Sequence, residues 1–122
     1  MNKDVPIVGS RFTIRAEHPA YAGKIVRTTL RGANNEAVDR AALLTSELVA
    51  DAMIDADADP QLFIDTREGH IYVEVRATDS LRRRVEPLRT RGWTLTLLDT
   101  VVSSWGIESR SDCRAVWFAL NF

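Results

Sequence analysis

Three carboxylates form the most regular arrangement of chemically capable residues in this 122-residue chain. Glu47, Asp51 and Asp55 follow one another at spacing i, i+4 and i+8, so in a helix they lie along one stripe. Such a stripe suits a bound cation or a proton transfer if it lines a pocket, and it is otherwise a solvated helix face. The spacing alone leaves both interpretations open.

Arginines supply the second concentration of charge, in residues 82–91. This segment contains Arg82, Arg83, Arg84, Arg89 and Arg91. Guanidinium groups can clamp phosphates or contact an acidic partner, and a solvated loop is the other interpretation. We do not expect nucleic-acid binding, because that role requires interleaved aromatic residues and a broader basic face.

Composition excludes several functional classes. Sixteen basic and seventeen acidic residues give a net charge of −1, so no overall field attracts nucleic acid or an anionic membrane. The single cysteine, Cys113, excludes an internal disulfide and a multi-cysteine metal site. No apolar run approaches the roughly 20 residues of a membrane span, and residues 1–10 lack the features of a signal peptide. These observations predict a cytoplasmic protein.

The elements that must position these groups fit one domain over residues 11–122, after a flexible N-terminal segment at residues 1–10. Alternation predicts a strand at residues 11–16. Helical periodicity predicts one helix from Pro19 towards Gly32 and a longer one from Asn34 or Asn35 to about residue 56. Residues 62–76 indicate a hairpin with Ile71, Val73 and Val75 facing inward and Tyr72, Glu74 and Arg76 facing outward.

The last third of the chain predicts a third helix at about residues 94–104, with Gly106 as its C-terminal cap. Two strands follow, near Ile107 and at residues 115–120, and Trp105 and Trp117 are expected where this helix meets the sheet. The resulting order is β-α-α-β-β-α-β-β. It predicts an α+β two-layer sandwich, with a mixed, mostly antiparallel sheet of about five strands and three helices on one face.

Three motifs resemble a known family. Residues 46–56, Ser-Glu-Leu-Val-Ala-Asp-Ala-Met-Ile-Asp-Ala, resemble the N-box helix of the GHKL ATPases, which include gyrases and histidine kinases. They resemble most the anti-sigma-factor serine-kinase branch, with its pattern S-E-L-V-T-N-A-x-x-H-A. Residues 92–106 resemble that branch's G-x-G-L-x-L-V-D-x-L-x-x-x-W-G, and residues 116–118 its closing V-W-F strand. The resemblance extends over residues 12–118 and implies a Bergerat-type ATP-binding fold.

The resemblance also implies roles for single residues. Glu47 takes the position of the catalytic carboxylate that activates the attacking hydroxyl group. Asp51 replaces the asparagine that binds Mg²⁺, and as a carboxylate it could still serve as a metal ligand. Gly92 matches the first glycine of the pair that cradles the phosphates.

Other positions of the implied nucleotide site depart from the family pattern. Ala77 stands where the family has the aspartate that recognises adenine, and Asp79 substitutes for it only if the strand end slips by two residues. Thr94 replaces the second phosphate-loop glycine, so its Cβ obstructs a close backbone approach. The arginine-rich segment replaces a flexible, often glycine-rich lid.

Two functions follow from this combination. The favoured one is a regulatory binding domain with weak or lost ATP binding and no required cofactor. It would sequester a sigma factor, an STAS-type antagonist or another regulator, with homodimerisation as a further option and neither nucleic acid nor membrane as a partner. The alternative is an active serine kinase that uses ATP and Mg²⁺, with Glu47 as base and Asp51 on the metal, and phosphorylates an STAS-type antagonist.

Overall fold

The computed structural model describes residues 11–32, 35–55, 59–67, 69–77, 92–110 and 113–121, except for the side chains of Phe12, Asn35, Asp55 and Trp93. The elements in these ranges are β1 (Arg11–Arg15), α1 (Pro19–Thr29), α2 (Asn35–Asp55), β2 (Gln61–Arg67), β3 (His70–Ala77), α3 (Gly92–Val101), β4 (Ser104–Ser109) and β5 (Arg114–Asn121). The predicted order of strands and helices is confirmed. The proposed N-terminal segment, residues 1–10, lies outside the described residues.

The five strands form one sheet in the order β1-β2-β3-β5-β4. Every neighbouring pair is antiparallel, so the expectation of a mixed sheet is wrong. The chain reverses between β2 and β3, where Gly69 adopts a φ of 71°, and it reverses again between β4 and β5. Strand β5 returns beside β3 and separates it from β4, with each contact antiparallel.

One face of the sheet, here called the inner face, packs against the helices. Alternate residues of β2, β3 and β5 are buried there, and α2 supplies the facing apolar side chains. This core includes Leu44, Leu48, Val49, Leu62, Ile64, Ile71, Val73, Val75, Val116 and Phe118. Because α2 contacts β3 and β5 while α1 packs on α2, the described elements form an α+β two-layer sandwich.

Helix α1 begins at Pro19, as its sequence predicts, and ends at Thr29, three residues before Gly32. Pro19 occupies its first turn, and the Nδ1 atom of His18 accepts a hydrogen bond from the Tyr21 backbone N–H at 3.3 Å. After the helix, Gly32 adopts a φ of 93°, a conformation that glycine tolerates best. Within the helix, Gly23 faces α2, and a Cβ atom there would lie 2.5 Å from Ser46 Oγ. The missing side chain therefore permits the close approach of α1 and α2.

The boundary between α3 and β4 differs from the prediction. Helix α3 ends at Val101, and Trp105 and Gly106 belong to β4, so Gly106 is not a helix cap. A Cβ atom on Gly106 would lie 2.7 Å from Trp117 Nε1. The glycine is required because the indole of Trp117 lies directly over it.

The two tryptophans of this region, Trp105 and Trp117, point to opposite faces of the sheet. Trp105 packs partly against the core, and its Nε1 donates a hydrogen bond to Asp99 Oδ1 at 2.8 Å. Trp117 instead points to the opposite, outer face of the sheet, because Val116 and Phe118 on either side of it point inward. The expectation that both tryptophans meet the third helix is therefore wrong for Trp117.

Candidate functional site

Helix α2 holds two of the candidate residues in different environments. Glu47 is half-buried, whereas Asp51 is only 2% exposed. A carboxylate withdrawn from water to this extent requires polar or charged neighbours, and Asp51 does interact with other groups. The simple picture of a solvated acidic face is therefore wrong for Asp51, while the side chain of Asp55 lies outside the described part.

The end of β3 places Ala77 beside a residue that the sequence analysis missed. Ala77 is fully buried, and its partner across the strand pair is Arg114 at the start of β5. Arg114 is 2% exposed and shares the inner face with Val116 and Phe118, two and four residues further along. An arginine in phase with the core residues of a strand was the signal in the sequence. Its position next to Ala77 depends on the β3–β5 pairing.

The start of α3 carries the two positions that resemble the phosphate-loop glycines. Gly92 is exposed, and a Cβ atom built on it would meet no atom of the described part of the chain within 4 Å. Thr94 is fully buried, and its hydroxyl Oγ1 has no hydrogen-bond partner among the residues that the structure describes. The residue in place of the second glycine thus points into the protein.

The remaining candidates, Asp79 and the arginines Arg82, Arg83, Arg84, Arg89 and Arg91, lie outside the described residues. Within the described ranges, no group of three or more His, Cys, Asp or Glu residues could hold a metal ion. Two surface hollows of about 300 and 360 Å³ border Tyr21 on α1, and none of the candidates that lie in the described ranges lines either of them. No helix in this part of the chain is long and apolar enough to cross a membrane.

No protein-family model matches the chain, and no curated protein matches it. The resemblance set out above therefore depends on its three motifs and on the order of elements between them.

The outer face of the sheet holds a buried ionic cluster that alternation alone did not reveal. Glu74 faces away from the helices as predicted, yet it is only 2% exposed. Arg110 donates two hydrogen bonds to its carboxylate, Nη1 to Oε2 and Nη2 to Oε1, each at 2.8 Å. The Tyr72 hydroxyl donates a third at 2.6 Å, and Arg76 Nε donates a fourth. We call Tyr72, Glu74, Arg76 and Arg110 the Glu74 cluster.

These contacts fix the charge states in the cluster. Burial alone would raise the pKa of the Glu74 carboxyl, but the hydrogen bonds from Arg110, Tyr72 and Arg76 outweigh burial and lower the pKa from 4.5 to about 2. Burial and the hydrogen bond to Glu74 raise the pKa of the Tyr72 hydroxyl. Hydrogen bonds to Glu74 and Glu108 raise the pKa of Arg110. At neutral pH the Glu74 cluster is therefore ionised, and its charged hydrogen bonds join β3 to Arg110, the residue after β4.

Aromatic rings surround the Glu74 cluster on the outer face. The rings of Tyr72 and Trp117 lie 5.7 Å apart at an interplanar angle of 25°, and Phe63 meets Tyr72 edge-on at 6.0 Å. The guanidinium groups of Arg76 and Arg11 lie 4.8 and 5.7 Å from the centre of the Phe63 ring. This face thus carries aromatic rings and charges of both signs.

Proposed function

We propose that this protein is a regulatory protein-binding domain of the Bergerat type, related to the anti-sigma-factor serine kinases, with weak or lost ATP binding. The α+β two-layer sandwich supports the resemblance at the level of architecture. The observation that carries the loss of ATP binding is the pairing of Ala77 with Arg114 at the end of β3.

Adenine recognition at that corner requires a hydrogen-bond acceptor for the amino group of the base. Ala77 offers only a methyl group, and the guanidinium of Arg114 is a donor without acceptor capacity. Loss of such a buried hydrogen bond costs about 1–3 kcal/mol. At the position where the resemblance implies the adenine contact, the side chain of Ala77 therefore offers no acceptor.

The positions that the resemblance implies for phosphate binding also depart from the family pattern in ways that weaken ATP binding. The buried side chain of Thr94 fixes a Cβ atom where the family pattern has a glycine, which hinders close approach of a phosphate to the backbone. Asp51 adds a negative charge where the pattern has a neutral amide, so a triphosphate would need a metal ion to offset the repulsion. Neither position fits ATP and Mg²⁺ as well as the family residues do.

Protein binding is supported by the exposed side of α2. Leu43 and Ile54 are 45% and 61% exposed, and with Glu47 between them they share one side of the helix, because their spacing is i, i+4 and i+11. Large exposed apolar side chains around a charged residue suit a contact with another protein. We therefore assign this surface to the regulatory partner, a sigma factor, an STAS-type antagonist or another regulator.

An active serine kinase is the second candidate, favoured by the partial exposure of Glu47, which a catalytic base needs. Calorimetric titration with ATP and Mg²⁺ separates the two functions. We expect no heat of binding at millimolar nucleotide. Micromolar binding that Asp51→Ala abolishes would refute the proposal, and Asp39→Ala, an exposed carboxylate on the same helix, is the matched control.

The partner surface is tested with purified sigma factors and STAS-domain proteins from the same genome. We expect one of them to bind, and Leu43→Glu or Ile54→Glu to weaken that binding at least tenfold. Tyr21→Glu is the control, because Tyr21 is also exposed, at 39%, but lies on α1. If none of these regulators binds, or if the control weakens binding equally, the assignment is wrong.

A further inference from the structure

Strand β4 forms one edge of the sheet, because the strand order ends with it. One step beyond the last pair of the β4–β5 ladder, the backbone N–H of Arg110 donates to the carbonyl oxygen of Cys113 at 2.7 Å. Hydrogen-bonded and non-hydrogen-bonded pairs alternate along antiparallel strands, so the even-numbered residues of β4 direct their backbone N–H and C=O groups towards β5. The odd-numbered residues, Trp105, Ile107 and Ser109, direct theirs away from the sheet.

These outward backbone groups make β4 an open edge. Trp105, Ile107 and Ser109 follow one another at about 6.8 Å along the strand, and no described residue forms a backbone hydrogen bond with their outward groups. An extended segment of another chain can pair with such an edge by β-augmentation, in which main-chain hydrogen bonds provide the affinity. The edge therefore offers a second chain three positions for backbone pairing.

The opposite edge of the sheet, strand β1, is protected by charge. The backbone N–H of Ala16 donates to the carbonyl oxygen of Pro60 at 2.8 Å, so the same alternation directs the backbone groups of Arg11, Thr13 and Arg15 outward. Charged side chains along an edge strand hinder the addition of a further strand. The outward positions of β4 carry no charge, and β4 contains no proline. We therefore expect strand addition at β4 rather than at β1.

Ile107 defines the central position of an added strand. Its side chain shares the inner face with Val116, the residue opposite it on β5, yet it is 39% exposed. A residue of the added strand opposite Ile107 would exchange both backbone hydrogen bonds with it and place its own side chain on the same face. A β-branched apolar residue at this position would cover the exposed part of Ile107.

The next position of the added strand lies opposite Gly106, on the outer face. The indole of Trp117 lies over this glycine, because a Cβ atom there would be 2.7 Å from Trp117 Nε1. Since Gly106 has no side chain, an aromatic residue of the added strand can reach across it and pack against the indole. This position therefore favours an aromatic residue.

The charge of this edge favours a basic residue at the position opposite Glu108. Residues 92–109 contain two acids, Asp99 and Glu108, and neither lysine nor arginine. Arg110, which follows this range, divides its positive charge between Glu108 and Glu74. Both of its hydrogen bonds to Glu108 go to Oε2, and no described residue donates to Oε1. The Glu108 side chain is 46% exposed, so a lysine or arginine of the added strand can reach it.

We propose that the open edge of β4 binds an extended segment of a partner protein in which a basic, a β-branched apolar and an aromatic residue follow one another. Every strand pair of the sheet is antiparallel, and we assign the same direction to the added strand. The three residues then lie opposite Glu108, Ile107 and Gly106, in that order. This edge is separate from the side of α2 assigned to the regulatory partner, so the inference does not depend on the proposed function.

The test titrates the full chain into a fluorescein-labelled synthetic peptide, Ser-Thr-Thr-Lys-Val-Tyr-Thr-Ser, and follows fluorescence polarisation. We expect saturable binding. N-methylation of the valine removes the N–H that donates to the Ile107 carbonyl and places a methyl group against the edge, so it should weaken binding at least about tenfold. N-methylation of the lysine is the matched control and should change the dissociation constant less than about threefold, because that N–H points away from β4. Replacing the lysine by glutamate should weaken binding about fivefold.

Proline substitutions on the two edges test the site from the side of the protein. Ile107→Pro removes one outward N–H and leaves the bonds between β4 and β5 in place, and it should weaken peptide binding at least about tenfold. Thr13→Pro makes the same change on β1 and should leave binding unchanged. Ile107→Val keeps both the N–H and the apolar side chain, and its dissociation constant should stay within about threefold of the original. Thermal unfolding by circular dichroism checks that each variant is folded.

Absence of saturable binding at millimolar peptide refutes the proposal. Equal effects of the two N-methyl groups also refute it, and so does binding that Thr13→Pro weakens and Ile107→Pro does not. A chain that binds no peptide but self-associates, and that Ile107→Pro makes monomeric, would replace the partner segment with a second copy. Leu43→Glu on α2 should leave peptide binding unchanged, so failure at the β4 edge is distinguishable from failure of the regulatory surface.

Discussion

Replacing Glu74 by glutamine tests how much the Glu74 cluster contributes to the free energy of unfolding. The substitution keeps the size of the side chain and removes the charge that Arg110 and Arg76 bind. The pKa of Glu74 falls from 4.5 to about 2 in the folded state, and that difference corresponds to about 3 kcal/mol. Arg76 and Arg110 are 30% and 36% exposed, so both can partly rehydrate, which keeps the loss near 3 kcal/mol rather than higher.

The direction of the Glu74 pKa shift determines how this stabilisation changes with pH. Because the folded-state pKa lies below the unfolded value, the stabilisation is complete above about pH 4.5 and is lost as the pH falls towards 2. Urea denaturation at pH 7, 5, 4 and 3 should therefore show a gap in unfolding free energy between wild type and Glu74→Gln that narrows below pH 4.5. Glu108→Gln, at a carboxylate 46% exposed, should cost less than about 1 kcal/mol. A loss below 1 kcal/mol for Glu74→Gln at pH 7, or a gap independent of pH, would refute the reasoning.

Two glycine substitutions probe close packing. Gly23→Ala gains up to about 1 kcal/mol of helix propensity but brings a Cβ atom within 2.5 Å of Ser46 Oγ, so we expect a net loss of about 1 kcal/mol in urea denaturation. In a Ser46→Ala background that loss should shrink or change sign, and an equal loss in both backgrounds would contradict the helix contact. Gly106→Ala should cost about 2–3 kcal/mol, because its Cβ would lie 2.7 Å from Nε1 of the rigid Trp117 ring. A cost under 0.5 kcal/mol would show that the indole does not need the glycine.

Local periodicity was enough to predict most elements of this fold. The start of α1 at Pro19, the length of α2 and the β2–β3 hairpin depend on neighbouring residues, and all were predicted close to their observed bounds. Gly106 was misassigned for a physical reason: a glycine after an apolar helical run is typical of a helix end. Its actual role depends on Trp117, a residue of a different strand that pairs with it only in the folded sheet.

The candidate site, like the fold, could be predicted from local sequence only in part. Motifs could mark Ala77 and Thr94 as departures, but they could not place Arg114 beside Ala77, because that contact joins residues from two strands that are distant in sequence. Alternation placed Glu74 on the outer face but did not predict its burial. That burial depends on Arg110, which is 36 positions further along the chain. Contacts of this kind come from the sheet topology rather than from any local pattern.

The strand order has a consequence for synthesis on the ribosome. Strand β5 is the last described strand in sequence, yet it lies inside the sheet, between β3 and β4. Until Asn121 has left the exit tunnel, β3 has no partner along one side, and β4 has no place in the sheet at all. The nascent chain therefore presents an open strand edge from the time that β3 emerges until β5 emerges, and an exposed edge of this kind is where chaperones are needed and where aggregation begins.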